Sequence, residues 1–267
     1  MTDEILKKIK QLPPLPESAM QIEAVYQDPD SSFNDMVKIL EKDPLLTADI
    51  LKAANSPLYG FSREINAISQ AVGLFGMGTV RGFALASIVK KSFALDFSAY
   101  GISNDMFSNL SKKQHGLMTS WCIKKENKLL GILSPAAFLV EIGKVLIAQQ
   151  IMGDGKVEEF KAAMKELQSV EAAEKEITGV DTPEVSSTIF SQWKFEEGLV
   201  DVIKNCQTPQ NADEEYQRAA SILHVVRTAV PINGVLTDES VAAAKELVSK
   251  YSLDMESFDT AVENARL

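Results

Sequence analysis

The chain has 267 residues, 45% hydrophobic and 24% charged, with a formal net charge of −10. This is the composition of an ordinary globular protein that can bury a sizeable core, not of a disordered or fibrous one. The acidic balance argues against broad nucleic-acid binding, which needs clustered Lys and Arg to displace counterions from phosphates.

Period-2 alternation is almost absent and apolar residues recur at helical spacing, as in Val80, Phe83, Ala84, Ser87 and Ile88, so the expected fold class is all-α. Helices are expected over roughly 2–11, 17–27, 33–42, 44–54, 67–75, 79–94, 104–126, 135–151, 156–167, 170–177, 183–193, 196–205, 214–229, 238–250 and 255–265. Ser32 with Asp35 forms a capping box, and Asp43-Pro44 puts an N-cap before a proline at the first helical position. Leu46, Ile50, Ala53 and Ala54 then make one stripe, which Asn55-Ser56-Pro57 ends. The segments 153–156 (GDGK) and 208–215 (TPQNADEE) are polar breaks. The chain could change subdomain at either, and the last boundary is placed near Asn211. In the last part Val241, Ala244, Leu247 and Val248 share a helix face that either covers the core or forms a homodimer contact.

Several motifs fall to their plainer readings. Gly76-Met77-Gly78-Thr79-Val80-Arg81-Gly82 suggests a dinucleotide loop, but its third glycine is one place late and no strand precedes it. The same stretch resembles a helix-turn-helix, yet Arg81 is the only base between Arg63 and Lys90, so a tight helical corner is expected. Cys122 and Cys206 stand far apart in no metal or disulfide pattern, which fits a reducing cytoplasm. No signal-peptide core and no run of about 18 apolar residues appears, so no membrane association is expected. The two histidines, His115 and His224, are too few for an ordinary metal site, and a lone histidine is most often a satisfied core or surface residue. A serine triad has no G-x-S-x-G to start from.

One residue resists this reading. In 136–147 (AAFLVEIGKVLI) a carboxylate, Glu141, sits in a helix apolar on nearly every side. Unpaired burial would cost several kcal/mol or force the group to hold a proton.

Leu12-Pro13-Pro14-Leu15-Pro16, Asp43-Pro44, Ala54-Asn55-Ser56, Tyr59-Gly60, Ile65 and Ile68 through Ala71 stand in the order and spacing of an HDOD domain, and the chain resembles that family from residue 12 to about 210. The resemblance implies a multi-helix, HD-domain-like bundle with an N-terminal helical subdomain over 1–100, an HD-like core with a degenerate metal site over 101–210, and C-terminal helices over 211–267 packing on that core. In the catalytic HD-type relatives a histidine, a His-Asp pair, further histidines and a final aspartate hold one or two metals, which make hydroxide from water near neutral pH. Laid on that pattern, the first position is His115 and the His-Asp pair becomes Val140-Glu141 before Ile142-Gly143-Lys144. Thr182, after Asp181, stands where the next histidine is expected, Cys206 lies near a later one, and Arg227 falls at the last aspartate.

Valine offers a metal no lone pair, and dedicated sites usually supply three or more ligands. No catalytic residue, metal or cofactor is therefore expected. The implied function is that of a bacterial signal-transduction protein acting by binding a partner protein or a small ligand. Asn55, Ser56, Tyr59 and Gly60, a polar turn after an apolar helix, are the candidate recognition residues; the plainer reading is that Asn55 and Ser56 cap the helix while Tyr59 packs. The alternative is a residual metal-dependent phosphohydrolase of cyclic or polyphosphorylated nucleotides, and a nucleotide sensor without hydrolysis stands between the two. Glu141 is expected to be hydrogen-bonded or ion-paired, with His115 as the candidate partner across the former site.

Overall fold

The helical stripes read from the sequence become buried faces in the computed structural model of the protein, which describes residues 2–59 and 63–266. The elements are α1 (Asp3–Lys10), α2 (Glu17–Gln27), α3 (Phe33–Glu41), α4 (Pro44–Ala54), α5 (Ile68–Lys91), α6 (Asn104–Cys122), α7 (Leu130–Leu139), α8 (Lys144–Gly153), α9 (Val157–Leu167), α10 (Val170–Thr178), α11 (Thr182–Gln192), α12 (Glu197–Lys204), α13 (Gln217–Ala229), α14 (Asp238–Lys250) and α15 (Met255–Arg266). No strand occurs among the described residues. The starts follow the local chemistry. The Ser32 backbone N–H donates to Asp35 Oδ2 at 3.0 Å, and Asp43 Oδ1 accepts from the backbone of Leu45 and Leu46 at 3.0 Å each.

The glycine corner lies at Gly76, whose φ of 79° and ψ of 162° break α5 into two helical stretches at a backbone conformation open mainly to glycine. The expected uninterrupted helix over 135–151 does not form. A 3-10 turn at Val140–Gly143 separates α7 from α8, and α11 packs so closely there that a Cβ on Gly143 would lie 2.6 Å from the Thr182 carbonyl oxygen. The helices expected to reach 94 and 126 end at Lys91 and Cys122.

Helix α5 is the spine of the N-terminal part. It packs on α2, α3, α4 and α7, and at Gly82 it approaches α7 so closely that a Cβ would lie 2.7 Å from Ser134 Oγ. Helix α1 instead packs on α8 and α11. Helices α13 and α14 pair, and α15 lies along α6 with Phe258 against Trp121 at 4.9 Å between ring centroids. Val241, Ala244 and Val248 are thereby buried within the chain.

Two stretches, Ile68–Lys91 and Asn127–Gly153, are long and apolar enough to cross a bilayer, but most of each is buried inside the fold. Core helices pass the same test of length and composition. Their most deeply buried charges, Arg81, Glu141 and Lys144, are paired internally. Arg81, fully buried, places Nε 2.6 Å from Glu23 Oε1 and Nη2 2.7 Å from Oε2, reaches Glu196 with Nη1 at 3.2 Å, and lies 4.2 Å above the Tyr26 ring. It fastens α2 and the start of α12 to α5.

Removing one partner of a buried pair strands the other charge, so Arg81→Met is expected to lower the unfolding free energy in urea by about 3–5 kcal/mol. Adding Glu23→Gln to that variant should recover part of the loss; a double variant no more stable than Arg81→Met would show that the stranded Glu23 charge is not the cause.

Candidate functional site

The turn between α7 and α8 is pinned by Ser186 on α11, whose hydroxyl donates to the Val140 carbonyl at 2.7 Å and accepts from the Gly143 N–H at 2.8 Å. Pinned there, the turn presents Glu141 and Lys144 to α10 and α13. Val140 is fully buried.

Glu141 is the centre of a closed polar cluster. Arg227 donates to it through Nε at 2.7 Å and Nη2 at 3.3 Å, Gln114 through Nε2 at 3.2 Å, and Lys144 Nζ stands 3.3 Å from Oε2. The same Arg227 reaches Glu171 at 2.6 Å and the Cys206 sulfur at 3.6 Å. Lys144 also donates to Glu174 Oε1 at 2.9 Å and to Thr182 Oγ1 at 3.0 Å. Glu174, itself fully buried, accepts further from the Thr182 N–H and hydroxyl at 2.7 Å each and from the Tyr100 hydroxyl at 2.8 Å. A cleft of about 260 Å³ opens over the cluster, lined among others by Glu141, Lys144, Glu171, His224 and Arg227.

Burial pushes the Glu141 carboxyl up, but the charges of Arg227 and Lys144 outweigh it and hold the group at about 2. Burial pushes the Cys206 thiol up to about 11, so it stays protonated at neutral pH.

Of the residues expected at the former metal site, Glu141, Thr182, Cys206 and Arg227 are brought together here. Asp181, also buried, is engaged elsewhere as the N-cap of α11, accepting from the Glu184 N–H at 2.9 Å and pairing with Lys175 at 2.8 Å. The expected contact of Glu141 with His115 does not form. Gln114, one residue earlier on α6, faces Glu141, and the 100° step of a helix turns its neighbour elsewhere.

His115 is instead enclosed in an aromatic pocket. It stacks on Phe138 at 4.1 Å, its Nδ1 lies 2.6 Å from the Tyr59 hydroxyl and its Nε2 2.7 Å from Ser134 Oγ. Burial pushes its pKa down to about 3, so the ring is neutral. Tyr59 also packs edge-on to Phe75 and Phe83 at 5.0 and 5.8 Å. Asn55 clamps its loop, its amide donating to the Leu51 and Ile65 carbonyls at 2.9 and 2.8 Å while Oδ1 accepts from the Ile65 N–H at 2.8 Å. Asn55 and Tyr59 thus take the plainer capping and packing roles; Ser56 is half-buried and Gly60 lies outside the described residues. Beside Tyr59 a cleft of about 630 Å³ runs between α5, α6 and α15, with Leu74 and Ile123 more than half exposed on its walls.

The residues missed from the sequence are Gln114, Lys144, Glu171, Glu174 and Tyr100. Lys144 carried the same signal as Glu141, a charge in an apolar segment one turn away. The others carried none, because their partners come from distant helices.

The sequence profile of the HDOD domain matches residues 12–209. A crystal structure from Shewanella amazonensis SB2B, of a protein provisionally named a phosphohydrolase, is 24% identical over 99% of this chain and 94% of its own, with a TM-score of 0.74. One from Marinobacter aquaeolei VT8, provisionally named a signal transduction protein, is 19% identical with a TM-score of 0.70, covering 100% of this chain and 60% of the other. An uncharacterized Treponema pallidum (strain Nichols) protein is 32% identical over 73 residues, which are 27% of this chain and 14% of that protein.

Glu141 has a depressed pKa, so its stabilising contribution is complete above the ordinary carboxylate value and is lost as pH falls through about 2. The difference in unfolding free energy between the protein and Glu141→Gln is expected to be on the order of 3 kcal/mol at neutral pH and to shrink between about pH 5 and pH 2. A difference that stays constant over that range, in denaturation curves at successive pH values, would mean that the carboxylate is not held ionised.

Proposed function

The chain belongs to the HDOD domain family, and from that premise we propose that it is a non-catalytic regulatory protein that works by binding a signalling partner or a small ligand. The carrying observation is at Glu141. Both oxygens of the carboxylate that stands at the metal-binding aspartate of the catalytic relatives are engaged by cations, Arg227 at 2.7 and 3.3 Å and Lys144 at 3.3 Å. A divalent ion there would lie against two fixed positive charges, and the residues present do not fit one. Val140 at the histidine position and a protonated Cys206 leave no ligand to replace what Arg227 occupies. The signal-transduction name of the Marinobacter relative is in keeping with this reading.

The surface we assign to recognition is the cleft beside Tyr59. Its walls carry exposed Leu74 and Ile123, while its floor is held by the Tyr59–His115 hydrogen bond. Exposed apolar residues on a rigid floor are the ordinary make-up of a binding surface. The second reading, a residual phosphohydrolase, draws on the name of the Shewanella relative and on the cleft of about 260 Å³ over the cluster.

Elemental analysis and a hydrolysis assay separate the two. Protein purified without chelator is expected to carry metal well below one equivalent and to leave bis(p-nitrophenyl) phosphate intact with added Mn²⁺. Stoichiometric metal that is lost in Glu141→Gln, together with turnover, would overturn the non-catalytic reading.

A further inference from the structure

Away from the Glu141 cluster, a second cavity collects positive charge. About 270 Å³ in volume, it is lined by Lys52 of α4, Lys90 and Lys91 of α5 and Lys112 of α6, with Asp49 as the one carboxylate on its wall. In a chain of net charge −10 such a gathering of lysines runs against the overall balance. Asp49 is already engaged, accepting from Ser87 Oγ at 2.5 Å and pairing with Lys91 at 2.9 Å. Among the described residues that leaves the ammonium groups of Lys90 and Lys112 with no carboxylate on the cavity wall to pair with.

Lys90 is the clearer case. Its ammonium donates to Ser108 Oγ at 3.1 Å and lies 6.0 Å from the Phe107 ring centroid, and no carboxylate pairs with it among the described residues. Burial, and then the charge of Lys112, draws its pKa down to about 8. A half-buried ammonium beside another of the same sign costs stability unless an anion joins them. The floor between them is apolar, made by Ala53, Phe83, Ala86 and Phe138.

We propose that this cavity binds a small phosphate ester, with the phosphate between Lys90 and Lys112 and the organic part against Phe83, Ala86 and Phe138. Lysine ammonium groups and the Ser108 hydroxyl suit the several acceptor oxygens of a phosphate. The apolar floor favours an ester over the free ion. The volume lies just under the roughly 300–1,000 Å³ of drug-sized pockets, so the ligand is a monophosphate of mononucleotide or sugar size. The site is separate from the Glu141 cluster and stands whether or not that cluster is catalytically inert.

Isothermal titration of the full chain at matched ionic strength, with AMP, ribose 5-phosphate, adenosine and inorganic phosphate as probes, tests this. Saturable one-to-one binding of AMP or ribose 5-phosphate is expected, tighter than inorganic phosphate and absent for adenosine. Lys90→Met and Lys112→Met should each weaken it about tenfold or more, the loss of one charge-assisted hydrogen bond, while Lys7→Met on the distant α1 leaves it unchanged. Lys90→Met removes an uncompensated charge, so the free variant should melt no lower than the parent, which separates lost binding from lost fold. The proposal is overturned if neither ester binds saturably, if inorganic phosphate binds as tightly as the esters, or if the Lys90 variant binds as the parent does.

Discussion

The architecture around the α7–α8 turn depends on the contact of Arg227 with Glu141, 2.7 Å long, between two buried side chains at the base of the cleft. Neither charge could be buried alone. Bringing them together joins the α7–α8 turn to α13, and the second arm of Arg227 on Glu171 and the Lys144 contact with Glu174 extend the tie to α10. The core around this cluster is apolar and supplies attraction without direction, whereas the ion pairs accept only one register of the helices.

The same principle recurs at Arg81, where a guanidinium with no exposed surface finds Glu23, Glu196 and the face of Tyr26. One cation therefore fastens the N-terminal helices to α5, and another closes the HD-like half. The neutral His115 is a residue that burial keeps from charging and that the hydroxyls of Tyr59, Ser134 and Thr119 hold in place. It links Tyr59 on one side to Phe83 and Phe138 on the other. The Tyr59 cleft and the lysine cavity thus share one packed aromatic layer, since Phe83 and Phe138 also line the latter.

Helix periodicity, the Ser32 and Asp43 starts and the glycine corner at Gly76 were legible in the chain because each depends on residues a few positions apart. The family was legible for a related reason: its motifs are short and keep their spacing from Leu12 to about residue 210. The break of 135–151 at Val140–Gly143 was not, because a single glycine is tolerated in many helices and the close approach of α11 to Gly143 is made by a segment distant in the chain. Nor was the choice of Gln114 over His115, since a one-residue step along α6 is invisible until the helix is rotated against its neighbours.

By itself, then, the sequence determined an all-helical HDOD chain in which Glu141 had to find a partner, because burying an unpaired carboxylate costs more than the fold can supply. Only the tertiary structure decided that the partners are Arg227 and Lys144, that His115 belongs to an aromatic pocket, and that four lysines share one cavity. Those outcomes depend on side chains brought together across helices far apart in the chain, and no local pattern encodes which of them will meet.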